Sequence, residues 1–174
     1  MNPKLLILPQ ILAVISLGIA CGMYFGFSVQ MLPALQQVDA STYALIQQKL
    51  DVSLSNSGFS LVFFAATIFP FISAGLAAWK SQRRTALYWL LVSLLHFIGV
   101  YWVTVITNMP LHQEMLEWNA AAPPADWQSL RDSWASSNTI RTIAEMICFV
   151  AALGLLLMRE QLAAPPKYVM RKLH

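Results

Sequence analysis

Trp134, Asn138, Arg141 and Glu145 recur at offsets of zero, four, seven and eleven, which places them on one face of a helix. That face joins an amide, a fixed cation and a carboxylate beside an indole, a set able to hold an oxyanion and move a proton. A second polar group comes earlier in the chain: Thr104, Thr107, Asn108, Pro110 and His112. Proline lacks a backbone donor and frees the carbonyl four residues before it. Asn108 or Thr107 therefore either satisfies that defect or forms a polar wall facing Arg141. His96 stands alone in an apolar stretch. There it is a haem ligand, a proton relay or a hydrogen-bond partner for a neighbouring helix. His112 lies about 24 Å from it along a straight helix at 1.5 Å per residue, so one haem does not use both unless Pro110 breaks the helix sharply. No CxxC, HExxH or CxxCH occurs, and no metal site is expected. Cys21 and Cys148 lie in apolar stretches and read as small packing residues.

Composition determines which elements carry these groups. Of 174 residues, 57% are hydrophobic and 11% charged, against roughly 45–50% and 25% in soluble domains. So few charges exclude an ordinary soluble enzyme, a disordered tail and a nucleic-acid-binding module. No charge occurs between Lys4 and Asp39, between Asp51 and Lys80, or between Arg84 and Glu114. A helix crossing a bilayer needs about 20 mostly apolar residues. The reading is an all-α, four-transmembrane-helix bundle, one membrane domain over residues 1–174, with spans at 5–31, 57–79, 85–107 and 140–158. The fourth span holds Arg141 and Glu145 in its first turns. Lys4, Lys80, Arg83, Arg84 and the basic tail of residues 159–174 gather at one end. By the positive-inside rule this places both termini in the cytoplasm, in the bacterial case at the inner membrane. Trp79 and Trp89 are expected in an aromatic belt at that interface.

The outer connections carry signals of their own. Tyr43, Ile46, Leu50 and Leu54 recur at spacings of three and four, which predicts a short amphipathic helix in outer loop one, lying on the membrane or capping the bundle. Outer loop three is Trp-rich, with Trp118, Trp127 and Trp134 around Ala122-Pro123-Pro124, and is expected to fold back over the outer mouth. Span three runs outward and ends polar, while span four runs inward and begins polar. As antiparallel neighbours they should bring Asn108 and His112 level with Asn138, Arg141 and Glu145, under a roof of Trp134, with Tyr101 and Thr104 as further contacts for a bound molecule. The plainer alternative is an Arg141–Glu145 i,i+4 pair that neutralises itself. Gly18, Gly22 and Gly26 form a GxxxGxxxG stripe. It is expected to pack span one against the other spans, or else to form the seam of a homo-oligomer.

Three patches carry a resemblance: Gly22-Met-Tyr-Phe-Gly26 leading to Met31-Leu-Pro33-Ala34-Leu35; Asn108-Met-Pro110-Leu-His112; and Trp134-Ala-Ser-Ser-Asn138-Thr-Ile-Arg141-Thr142. In this order and at span ends, the chain resembles the anthrone oxygenase-like family of small four-span membrane proteins, from about Gly18 to Gly154. His112 stands where that family often has a second asparagine. The resemblance implies oxygen-dependent oxidation of a reduced lipophilic aromatic such as an anthrone. Arg141 and Asn138 would stabilise a phenolate or enolate, Glu145 or His112 would take the proton, and no cofactor would be required. Two other functions stay open on the residues alone. One is a non-enzymatic accessory or structural membrane subunit. The other is a redox subunit binding haem b or a quinone through His96.

Overall fold

Each apolar stretch becomes a helix long and apolar enough to cross a membrane: Leu6–Leu35, Gly58–Trp79, Arg83–Leu116 and Trp127–Leu157. The computed structural model describes residues 4–54 and 57–163, with no strand among them. The basic positions Lys167, Arg171 and Lys172 and the Pro165-Pro166 pair lie outside the described residues. Span one is α1 (Lys4–Gly26), continued by a π-helical segment at Phe27–Met31 into α2 (Leu32–Leu35). Helix α3 is Ala40–Leu54, and span two is α4 (Ser57–Trp79). Span three is α5 (Arg83–His96), continued through π-helical segments Phe97–Trp102 and Thr104–Asn108 into α6 (Met109–Leu116). Span four is α7 (Trp127–Leu157), followed by α8 (Arg159–Ala163). Spans one and three each pack against spans two and four, so the four form a ring with a shared interior.

Three spans run past the ends expected from hydropathy. The 34 residues of span three rise about 50 Å at 1.5 Å each, against a hydrocarbon core of about 30 Å. The surplus is stabilised by burial outside the ring. Leu32, Leu35, Tyr43, Met115 and Trp134 form a second core, flanked by Ile46, Trp118, Trp127 and Leu130. Helix α3 thus caps the bundle, with Tyr43 and Ile46 turned inward as their spacing predicts; the side chain of Leu54 lies outside the described residues. Asp39 starts α3 by accepting the Thr42 N–H at 3.0 Å and the Thr42 hydroxyl at 2.8 Å. These bonds, the backbone one first, hold the Asp39 carboxyl below the usual carboxylate range. Gln48 reaches across to the end of α6, its amide donating to the carbonyl of Trp118 at 2.9 Å. The Trp-rich connection is correspondingly shorter than expected. Trp127 and Trp134 belong to α7, and only residues 117–126 link it to α6.

The core within the ring is built from small residues, among them Ala13, Ala20, Ala66, Ala144, Cys148 and Ala152. Trp89 lies in this core at 0% exposure and not in an interfacial belt, whereas Trp79 is 69% exposed. Trp89 is buried because its helix turns this face to the ring interior together with Val92 and His96.

The glycine stripe also divides. A Cβ on Gly18 would meet the Phe149 ring at 2.9 Å, but one on Gly22 or Gly26 would meet nothing within 4 Å. The expectation that the whole stripe packs span one against the others is therefore corrected: only Gly18 does so. The demanding glycine is Gly99, where a Cβ would lie 2.7 Å from the Ala144 Cβ. Neither neighbour is flexible, so spans three and four depend on that missing methyl to approach. Gly99→Val is expected to destabilise the bundle by about 1–3 kcal/mol, the usual cost of overpacking. The check is a lowered thermal unfolding midpoint in detergent, with Gly22→Val leaving the midpoint unchanged.

Candidate functional site

The close approach at Gly99 brings span three's His96 against span four's Glu145. Glu145 is 0% exposed and His96 1%. His96 Nδ1 lies 2.8 Å from Glu145 Oε2, off the line of a hydrogen bond, and Glu145 Oε1 has no hydrogen-bond partner. On its other side His96 Nε2 lies 3.1 Å from the Thr67 hydroxyl of span two. That hydroxyl donates to the Phe63 carbonyl at 2.9 Å. A hydroxyl has one proton, so with it given to Phe63, Nε2 must be the donor to Thr67. Nδ1 then faces Glu145 in one of two states. It is an imidazolium N–H against a carboxylate, or a lone pair against a protonated carboxyl. In both, one proton serves the pair, and two bare lone pairs at 2.8 Å would repel.

One helical turn toward the α3 cap, Arg141 is 6% exposed. Its Nη1 donates to the Thr104 hydroxyl of span three at 3.1 Å and its Nη2 to Asn138 Oδ1 at 2.9 Å. Nε has no partner. The guanidinium lies over the ring of Tyr24 from span one, 5.1 Å from its centroid, and 5.9 Å from that of Trp134. Among the described residues it forms no salt bridge with any carboxylate. The plainer alternative, a self-neutralising Arg141–Glu145 pair, is not what forms: Glu145 turns to His96, and Arg141 is left with neutral partners. The expected convergence of Glu145 with Arg141 and Asn138 is corrected with it. A buried charge without a counter-charge costs several kcal/mol, so this cation occupies a site suited to an anion.

Asn138 is fixed from behind. Its amide donates to Ser28 Oγ of span one at 3.0 Å, and Ser28 is 2.8 Å from Thr142 Oγ1. Two π-helical segments face this layer, and each precedes a proline. Phe27–Met31 carries Ser28 and precedes Pro33; Thr104–Asn108 carries Thr104 and Asn108 and precedes Pro110. A widened turn relieves the clash of a proline ring with the carbonyl four residues back. π-helical turns are frequent at functional sites.

Of the sequence-predicted residues, Arg141, Asn138 and Thr104 are joined by hydrogen bonds, and Trp134 covers Arg141. Asn108, 1% exposed, lies four residues beyond Thr104 with both amide atoms lacking a hydrogen-bond partner. His112 meets Trp134 edge-on at 5.5 Å. Glu145 and His96 form their own layer. Tyr101 is not brought to Arg141; it stacks between Phe97 at 5.1 Å and Phe63 at 5.8 Å. Sequence reasoning missed Thr67, Ser28, Thr142 and Tyr24 as site residues. The signal for Thr67 and Ser28 was only a hydroxyl in an apolar span; Tyr24 and Thr142 sit in the first and third of the three patches.

The orphaned polar atoms at this level are Arg141 Nε, Trp134 Nε1 and the Asn108 amide. Each unsatisfied group costs about 1–3 kcal/mol. Donors dominate the set, so together they suit a molecule carrying an oxyanion. An open groove of about 530 Å³ between spans one and four is lined by Ser28, Leu32, Ala135 and Thr139 among others. It ends one hydrogen bond from Asn138. Haem does not fit His96, because both ring nitrogens already face protein partners. No group of three or more His, Cys, Asp or Glu placed to hold a metal ion occurs among the described residues.

Comparison with known proteins gives one match. A family model described as anthrone oxygenase matches residues 56–153, more than half of the chain. The matched stretch includes Thr67, His96, Asn108, Asn138, Arg141 and Glu145, and leaves out Tyr24 and Ser28. No curated protein and no solved structure matches the chain.

Proposed function

The chain belongs to the anthrone oxygenase family, and on that premise we propose that it oxidises a reduced lipophilic aromatic ketone, of the anthrone type, with dioxygen. The observation that carries this reading is Arg141: a buried guanidinium between two aromatic rings, with no carboxylate partner among the described residues. An anthrone that loses a proton from its methylene carbon becomes an enolate, which is a planar aromatic anion. Arg141 and Asn138 position and stabilise that oxygen, with Trp134 and Tyr24 on the ring faces. Preorganised donors in a dry site are worth far more than in water. The proton goes to Glu145 Oε1, one turn deeper and unpartnered, with the pair in its imidazolium–carboxylate form so that the carboxylate is free to accept it. The enolate carbon then gives its electrons to dioxygen, a C–O bond forms, and the hydroperoxide loses water. In total CH2 + O2 becomes C=O + H2O, and dioxygen is the only oxidant needed.

His112 is the second possible proton acceptor. The full burial of Glu145, with Oε1 unpartnered, favours the deeper pair. We also propose that the end bearing Lys80, Arg83 and Arg84 faces the cytoplasm, by the positive-inside rule, which puts the Arg141 layer in the outer half of the membrane. The experiment is conversion of anthrone in air by the purified chain in detergent. The expected result is one dioxygen consumed per quinone formed, at a rate proportional to protein. Turnover no faster than the protein-free rate would overturn the reading.

A further inference from the structure

At the end of the bundle opposite Arg141, a cavity of about 380 Å³ lies beside the start of α5, lined by Leu6, Gln10, Gln82, Thr85, Arg159 and Glu160 among others. Helix α5 begins without a cap: the Gln82 side chain makes no capping bond. Its first helical bond runs from Ala86 N–H to the Gln82 carbonyl at 2.9 Å, so the N–H groups of residues 83–85 lack helical acceptors. The positive end of the helix dipole favours acidic residues, but the first turn holds Arg83 and Arg84 and no acid. The same turn buries Thr85 to 2% exposure, with its hydroxyl unpartnered. Gln10 is also 2% exposed on the facing wall. Arg159, 42% exposed, donates to the Leu156 carbonyl at 3.3 Å and touches Glu160 at 3.4 Å.

We propose that this cavity binds the phosphate of an anionic membrane lipid. The Thr85 hydroxyl and the free N–H groups of the α5 N-terminus donate to phosphate oxygens, as helix N-termini do for phosphates generally. Arg159 supplies charge from the opposite side, and Lys80, Arg83 and Arg84 set a positive field around the mouth. Leu6 and Ile7 give the cavity an apolar wall, which fits the start of an acyl chain and gives a soluble anion no partner. Glu160 opposes binding. Its carboxylate also lines the cavity, but its side chain is 87% exposed and can swing into water.

The test is the thermal unfolding midpoint of the full chain in a neutral detergent. The additions are dioctanoyl phosphatidylglycerol, dioctanoyl phosphatidylcholine or inorganic phosphate. Phosphatidylglycerol is expected to raise the midpoint saturably, and the other two much less. In Arg159→Gln half-saturation should need about tenfold more lipid, the loss of one charge-assisted bond. Thr85→Val should weaken the response too, and Glu160→Gln should strengthen it. Arg159 and Glu160 lie at the surface, so those two variants test the site even if Thr85→Val fails to fold. An equal rise with phosphatidylcholine, or a phosphatidylglycerol response unchanged in Arg159→Gln, would overturn the proposal. An equal rise with inorganic phosphate alone would overturn the lipid as its source.

Discussion

Arg141→Lys is expected to lower kcat for anthrone oxidation by roughly 10²–10³-fold, the range seen when an oxyanion donor is removed, while the protein still inserts and folds. Lysine keeps the charge but loses the planar fork. In this site the fork is divided: one nitrogen holds Thr104, one holds Asn138, and Nε is left for the ligand. A single ammonium does not serve all three directions. Folding should survive because Arg141 forms no salt bridge among the described residues whose partner would be stranded, and Thr104 still donates to the Val100 carbonyl at 2.7 Å. The check is steady-state oxygen uptake beside the thermal midpoint. A variant with full activity would show that only positive charge is needed, and a collapsed midpoint with no folded protein would make Arg141 structural.

Glu145→Gln should also remove most activity, by about 10²–10⁴-fold, the usual contribution of a positioned general base. The amide is close to isosteric and still offers an N–H toward His96 Nδ1, so His96 keeps a partner and the bundle keeps its fold. It cannot accept a proton. Glu145→Ala is expected to behave differently. It leaves His96 Nδ1 buried with nothing beside it, at a cost of about 1–3 kcal/mol, and so lowers the midpoint as well as the rate. Measuring kcat and midpoint on both variants separates the two effects. If Glu145→Gln keeps its rate and substitution of His112 abolishes it, the proton acceptor is the outer histidine.

The four spans were legible because each is a long apolar run with few or no charges, and the capping helix α3 and the polar face of span four because each rests on local periodicity. Arg141, Asn138 and Thr104 were legible for the same reason, with antiparallel neighbours setting their depth. Partner choice was not. Helical arithmetic puts Glu145 one turn from Arg141, but it gives no account of His96 on the next helix. That contact depends on Gly99 meeting Ala144, and nothing in a single sequence marks which glycine faces a neighbour. Gly22, in the more conspicuous stripe, faces open space. The π-helical turns were half-legible. Pro33 and Pro110 follow them, yet Pro9 and Pro70 sit inside unbroken α-helix, so proline alone does not specify a widened turn. Trp89 misled because tryptophan near a basic turn usually marks an interface, and here it fills the core.

The most direct test of an anion site at Arg141 is an anaerobic spectral titration of the purified protein with a hydroxyanthrone. The pH is set where the free compound is the neutral ketone. The enolate absorbs at longer wavelength, so the bound ionisation state is read without turnover. The wild type is expected to bind the compound as its enolate, and Arg141→Met to bind it weakly and as the ketone. One unit of ionisation shift corresponds to about 1.4 kcal/mol of preferential binding of the anion. A wild-type complex with the ketone spectrum, and equal affinity in Arg141→Met, would contradict the account.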